Sequence, residues 1–453
     1  MSALLDGTLT EQAAAVAGGD VDPAALLEAS LARIEERNPS VNAIVETFPE
    51  HSRQMLAEAP GGPLHGVPIA IKDEWPLPWR AERLGAAELP GPSPSPGESG
   101  PYRALRDAGA VIVGVANMHE YGAGSTGHIS AFGPARNPWN TDRCPGGSSS
   151  GPGAAVGARL VSGAVGADGI GSIRYPSAYC GLTGLKPTFG RSAMQGHHIP
   201  STTTIVSGPM CRDAADCRLL GGVLFGSELT AGQTRGLRIG VVPGELWDDC
   251  DPEVNTACHQ AVEMLREVSQ GTIAEVDFRG REHVLISSIL VGSTEELAVA
   301  TPKRVAGLSD DVSLVARALL RYRLLLPAAT IAKSLRVRSL VRRSLAELFE
   351  QVDVLAWPTV AAPAPPLDNP TVNLPSGAYP ADYANPRQAG IANLAGVPGI
   401  SVPVGLSSDG LPMGLQLLAH WGRDELLLDA AEALERANGR QWVDAAPPLA
   451  RPG

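Results

Sequence analysis

Metal-site and disulfide signatures are missing from this chain. Its 453 residues hold six cysteines (Cys144, Cys180, Cys211, Cys217, Cys250, Cys258), with no Cys-x-x-Cys pair and no histidine at zinc spacing. So few thiols in so long a chain imply reduced, scattered cysteines and a cytoplasmic protein. Positive charge is also short, with 36 lysines and arginines against 48 acids and a formal net charge of −12. That balance argues against nucleic acid or an anionic membrane as the main partner. No uninterrupted apolar run reaches transmembrane length. The N-terminus carries Asp6, Glu11, Asp20 and Asp22 and lacks the basic start and apolar run of a secretory signal. No repeat period and no interdomain linker stand out, so a single domain over 1–453 is expected.

What is present is an alternation of strand and helix patterns. Thr8 and Glu11 have capping-box spacing, and Asp22-Pro23 pairs an N-cap with proline at the first helical position, so residues 8–38 read as two helices. Strands are expected at 41–47, 66–72, 110–114, 163–167, 237–242, 399–404 and 413–418. Helices are expected at 102–108, 150–160, 252–268 and 424–438, with a long helical stretch at 314–350 interrupted by Pro327. Between 317 and 343 that stretch holds eight basic residues and no acid, which reads as a solvated face. Residues 85–101 and the proline-rich 361–387 read as loops. The alternation argues an α/β fold with a largely parallel core.

Three segments carry chemistry. Gly66-Val67-Pro68-Ile69-Ala70-Ile71-Lys72-Asp73 is a buried strand ending on a lone lysine. Cys144-Pro145-Gly146-Gly147-Ser148-Ser149-Ser150-Gly151 and Asp168-Gly169-Ile170-Gly171-Ser172-Ile173-Arg174 are glycine-rich and bear serines. A serine hydroxyl becomes a nucleophile only when a base takes its proton. A lysine buried against Ile69 and Ile71 would lose its own proton more readily and could be that base. The turn Gly169-Ile170-Gly171-Ser172 presents successive backbone N–H groups beside a hydroxyl, as an oxyanion site requires.

This ordered set resembles the amidase signature family. The resemblance extends from about residue 20 to about residue 438, through Ala108-Gly109-Ala110, Gly114 to Glu120, Phe132 to Trp139, Cys180 to Thr188, Asp353 to Thr359 and Gly410 to Gln416. It implies an amidase-signature α/β fold, a central mixed sheet covered by helices on both faces. Within it, 1–65 would be an N-terminal helical and strand region, 66–190 the signature core, and 191–453 the rest of the sheet and the substrate-funnel loops. It places Lys72 as general base, Ser148 as a bridging serine after a cis peptide bond, and Ser172 as acyl-forming nucleophile. Ser148 and Ser172 stand 24 positions apart, the family's separation. Gly169, Ile170 and Gly171 would line the oxyanion site, with Ser149 supporting it by hydrogen bonding. Asp168, Arg174 and Lys186 are expected to organise structure.

The implied reaction is hydrolysis of a small-molecule carboxamide through an acyl-enzyme, with no metal and no organic cofactor. Assembly into a homo-oligomer stays open. Two alternatives accompany that reading: the glutaminase (A-type) subunit of a tRNA-dependent amidotransferase, and a non-catalytic homologue acting as a binding protein. The chain departs from the family pattern at Ser150 and Pro152, at Gly169-Ile170 in place of Thr-Gly, and at Glu74 in place of the asparagine common after Lys-Asp. Gly147-Ser148-Ser149-Ser150-Gly151 also satisfies the G-x-S-x-G nucleophile elbow, but the proline- and arginine-bearing 136–147 is the wrong context for the strand an elbow needs. His128, His197 and His198 read as solvated or hydrogen-bonded loop histidines, with pocket lining as the alternative. The loop 192–207 and the proline-rich segment 361–387 are candidates for the pocket walls.

Overall fold

Apolar runs with no polar interruption become the interior strands of one sheet. The computed structural model describes residues 2–89, 95–197, 203–296 and 302–450. Its strands are β1 (Ile44–Thr47), β2 (Pro68–Lys72), β3 (Val111–Ala116), β4 (Gly163–Asp168), β5 (Thr183–Lys186), β6 (Val206–Cys211), β7 (Arg238–Val241), β8 (Thr272–Glu275), β9 (Val354–Pro358), β10 (Thr371–Leu374), β11 (Gly377–Pro380), β12 (Gly399–Leu406) and β13 (Pro412–Ala419). Eleven of them form a sheet in the order β1-β3-β2-β4-β6-β5-β12-β13-β9-β7-β8, and β10 and β11 make a separate hairpin. Every residue of β2, β3, β4, β5, β6, β9 and β13 is buried. A strand buried at every position is covered on both faces, which is what flanking helices do.

The directions of the strands correct the expectation of a largely parallel core. β2 runs parallel to β3 and β4, and β7 runs parallel to β8 and β9. From β4 through β6, β5, β12 and β13 to β9, every neighbouring pair is antiparallel. The turn between β12 and β13 spans only 407–411, and so short a connection can join only antiparallel strands. The sheet is therefore mixed, as the family resemblance implied.

Two loop expectations are corrected as well. Within 361–387 the chain forms the β10–β11 hairpin and then enters the helix Ala381–Ala395. Its prolines hide this: Val372 and Leu374 are the buried alternate residues of β10, Pro380 stands at the N-cap and Pro386 lies inside the helix. The wall segment 192–207 ends in β6, a strand disguised by Gly208 and Pro209. The 314–350 stretch is two helices, Leu314–Arg323 and Ala328–Gln351, with Pro327 at the second N-cap as its ring dictates. All six cysteines are free and buried. No described helix is long and apolar enough to cross a membrane.

One buried carboxyl makes the scaffold pH-sensitive. Glu435, on the helix Asp424–Ala437, is 3% exposed and accepts hydrogen bonds from Thr183 Oγ1 (3.0 Å) and Ala214 N (3.1 Å). Burial, reinforced by the charge of Asp213, pushes this carboxyl up to about 8 from 4.5. The native state then keeps a proton that the unfolded chain has already released, so stability falls as pH rises from 4.5 to about 8. Glu435→Gln is expected to flatten that fall and to be the more stable protein at the alkaline end. Urea midpoints at about pH 5 and about pH 8 measure it, and parallel slopes for the two proteins would contradict the assignment.

Candidate active site

The site forms where β2 and β4, parallel neighbours, end on the same edge of the sheet. Strand ends at that edge free their side chains and the following loops for chemistry. Lys72 is the last residue of β2 and 1% exposed, and its Nζ lies 2.9 Å from Ser148 Oγ. The same Nζ lies 3.1 Å from Glu74 Oε1. Burial lowers the pKa of the Lys72 amine, while the charges of Glu74 and Asp168 oppose that shift. Asp73 points to the other face of the strand, as alternation requires. There it accepts from Arg80 Nη1 at 2.6 Å and from the backbone of Arg83 and Gly85 at 3.1 Å.

Ser148 follows a cis peptide bond with Gly147, and its carbonyl accepts from His119 N at 3.0 Å. A side chain on Gly147 would meet Gly127 N at 2.8 Å and Gly124 O at 2.9 Å, so only glycine lets the two loops approach this closely. Ser149 is fully buried and faces away from the cavity. Its Oγ donates to Ala167 O (3.1 Å) and accepts from Ala167 N (3.3 Å), tying the serine loop to β4. With that hydroxyl spent on backbone and no strand before it, the elbow reading has no geometry behind it.

Beyond β4 the chain turns sharply into the helix Arg174–Cys180, and Asp168 organises the turn. Its carboxylate accepts from Gly171 N (2.6 Å), Ile173 N (3.2 Å), Arg174 Nε (3.0 Å) and Asn393 Nδ2 (2.9 Å). Burial would raise Asp168, but the Arg174 guanidinium beside it outweighs that and leaves the carboxyl below its ordinary value. Arg174 in turn donates to Ala389 O (2.9 Å), Gln416 Oε1 (2.8 Å) and Asn393 Oδ1 (2.6 Å). Asp168 and Arg174 therefore build the loop, as expected. Gly171 has a φ of +126°, and a Cβ there would lie 2.2 Å from Tyr175 Cζ. Gly171→Ala is expected to displace the turn and cost about 10²-fold in turnover, since about 1 Å of misplacement at a reacting group costs that much. Steady-state kinetics on folded variant protein would check this, and wild-type kcat would contradict it.

Lys72, Glu74, Ser148, Gly169, Ile170 and Ser172 border one cavity of about 340 Å³. Gly171 does not, because Asp168 draws its N–H inward. The expected donor array over 169–172 is narrowed accordingly, with Gly171 serving as a turn former. The remaining wall is mainly apolar: Tyr121, Tyr175, Ile205, Ile289, Val315, Leu319 and Tyr322, with Arg323, Asp382 and Pro386 adding polar or rigid points. Ile205 belongs to the expected 192–207 wall, and Asp382 and Pro386 to the expected 361–387 wall. The helix Leu314–Arg323 is a wall that sequence reading missed. Its signal is the apolar stripe Val315, Leu319, Tyr322 at helical spacing, overshadowed by the neighbouring arginines. His128 does not border the cavity; it bonds Thr126 Oγ1 at 2.6 Å. His197 reaches Glu74 instead, with Nε2 3.6 Å from Oε2, and His198 lies outside the described residues. Lys186 is fully buried, bonds Pro187 O at 2.7 Å and is lowered to about 7 by burial, apart from the cavity. No group of three or more histidine, cysteine or acidic residues able to hold a metal ion occurs among the described residues.

Comparison with known proteins places this chain in a family. A family model described as Amidase matches residues 25–428. The A-type subunit of the glutamyl-tRNA(Gln) amidotransferase from Methylococcus capsulatus is 32% identical, over 95% of this chain and 96% of that protein. A solved amidase structure superposes with a TM-score of 0.88 at 30% identity, covering 95% of this chain and 99% of the other. The solved A-type subunit of the Thermotoga maritima glutamyl-tRNA(Gln) amidotransferase gives 0.75 at 26% identity, covering 91% of each chain. With its fold and nearly its whole length in agreement, this chain belongs to the amidase family.

Proposed function

We propose that the chain hydrolyses a small carboxamide by acyl transfer to Ser172, as a single amidase domain. The observation that carries this reading is the 2.9 Å bond between Lys72 Nζ and Ser148 Oγ, made beside the same cavity that Ser172 borders. Burial favours the neutral amine, so Lys72 can take a proton from Ser148. Ser148 takes one from Ser172 as its Oγ attacks the amide carbon. The N–H groups of Gly169, Ile170 and Ser172 are the candidates to hold the oxyanion, Gly171's being committed to Asp168. The relay returns a proton to the leaving nitrogen, the C–N bond breaks, and water then releases the acid from Ser172.

The apolar wall favours a substrate whose acyl part is aromatic or branched aliphatic, with Ile170 narrowing the space over the nucleophile. A second reading, the glutaminase component of a tRNA-dependent amidotransferase, is favoured by the 32% identity to the A-type subunit of such an enzyme. The closer superposition on a solved amidase, 0.88 against 0.75, supports the first reading over it.

The discriminating experiment is a pre-steady-state assay with aryl amides, run with and without hydroxylamine as competing acceptor. An amine burst of one equivalent per chain and formation of the acyl hydroxamate are expected. Ammonia release from glutamine alone, with no aryl amide turned over, would favour the amidotransferase reading. Folded protein with neither activity would overturn both and leave the non-catalytic homologue.

A further inference from the structure

The site holds a buried acid that the proton relay does not use. Glu74 is two residues past the end of β2, and its side chain is 3% exposed beside a Lys72 side chain 1% exposed. One carboxylate oxygen faces Lys72 Nζ at 3.1 Å and the other faces His197 Nε2 at 3.6 Å. The His197 ring packs on the fully buried Trp75 at a centroid distance of 4.8 Å, which fixes the clamp from the far side. Lys72 Nζ therefore sits between two groups of opposite use: an acceptor hydroxyl on Ser148 and a carboxylate on Glu74.

We propose that Glu74, clamped between Lys72 and His197, is a positioning residue that aims the Lys72 amine at Ser148 and, as its counter-anion, sets the pH range in which that amine works. This rests on the reading of Lys72 as the proton acceptor. The other charged or titratable groups facing the pair are Asp168 from the end of β4, His119 from the segment after β3, and Glu82, which faces His197. Burial lowers His119 to about 4 and raises Glu82 to about 7, so neither adds a full opposing charge near neutrality. Asp73 is taken by Arg80 on the other face of the strand. Glu74 is thus the one carboxylate in contact with Lys72 Nζ among the described residues. An opposite charge in contact favours the protonated amine, so it works against the burial that lowers Lys72. The result is an amine that is neutral when reactive yet basic enough to draw a proton from Ser148.

The test is the pH profile of kcat/KM for wild type, Glu74→Gln and Glu74→Asp. Without the carboxylate, Lys72 gives up its proton at lower pH, so the acid limb of Glu74→Gln is expected to move down by about 1–3 pH units. Its plateau kcat should fall with the weaker base while KM stays near wild type. Glu74→Asp retains the charge and should keep the wild-type limb. If Glu74→Gln does not accumulate as folded protein, Glu74→Asn replaces it, with the same shift expected. An acid limb that overlays wild type in the charge-removing variant would overturn the proposal. Lys72→Met separates the two levels: wild-type turnover in Lys72→Met defeats the relay itself, whereas an inactive Lys72→Met with an unshifted Glu74→Gln limb defeats only the role given to Glu74.

Discussion

Ser172→Ala is expected to lower kcat/KM by about 10⁴-fold or more while leaving the fold and the cavity intact. The expectation follows from position. Ser172 borders the cavity at the end of a turn held by Asp168, and its carbonyl already accepts from Ser149 N at 3.3 Å, so removing the hydroxyl leaves the backbone bonds in place. In the proposed reading substrate is held by the apolar wall of the cavity, so KM should change little and the loss should fall on kcat. Ser149→Ala is the internal control. Its hydroxyl is spent on the backbone of Ala167, so the loss should appear as about 1–2 kcal/mol of stability rather than as lost chemistry. The reverse pattern, with Ser149→Ala inactive and Ser172→Ala active, would contradict the assignment of the nucleophile.

Arg174→Met is expected to destabilise the protein by about 3–5 kcal/mol, a large share of the ~5–15 kcal/mol that holds a typical fold. Arg174 and Asp168 are both fully buried, and the guanidinium joins four partners: Asp168, Ala389 O, Gln416 and Asn393. Removing it leaves a carboxylate in the interior without its cation and strands the acceptors around it. Arg174→Lys should recover only part of the loss, because a single ammonium cannot reach acceptors spread over a planar fork. Urea unfolding followed by near-UV circular dichroism measures both. A midpoint for Arg174→Met within error of wild type would show that the pair holds nothing. Since Asp168 also fixes Gly171, activity should fall with stability here, unlike in Ser172→Ala.

The candidate site residues are legible because each sits in a short local pattern. Lys72 ends an apolar run, and Ser148 and Ser172 each close a glycine-rich turn; no long-range information is needed to notice them. What surrounds them is not legible. The wall at Ile289, Val315, Leu319 and Tyr322 comes from helices far along the chain whose residues carry no chemistry of their own. Gly171 shows a subtler limit. The glycine pattern announces a turn of backbone donors, but which N–H faces the cavity depends on Asp168 three residues earlier, which captures Gly171's. Glu74 stands out as an unusual residue after Lys-Asp, yet its meaning depends on His197, brought to it only by folding. Strand direction is hidden for a similar reason. A buried apolar run reads the same whether its neighbours run parallel or antiparallel, and the antiparallel centre shows only in pairings such as β4 with β6.

The central claim is that one hydroxyl, on Ser172, is the nucleophile of a lysine-driven relay. Intact mass after incubation with a reactive fluorophosphonate, followed by peptide mapping, tests it most directly. The account predicts one adduct per chain, located on Ser172, absent in Ser172→Ala and formed much more slowly in Lys72→Ala. An adduct on Ser149, or labelling of Ser172 at the same rate without Lys72, would contradict it.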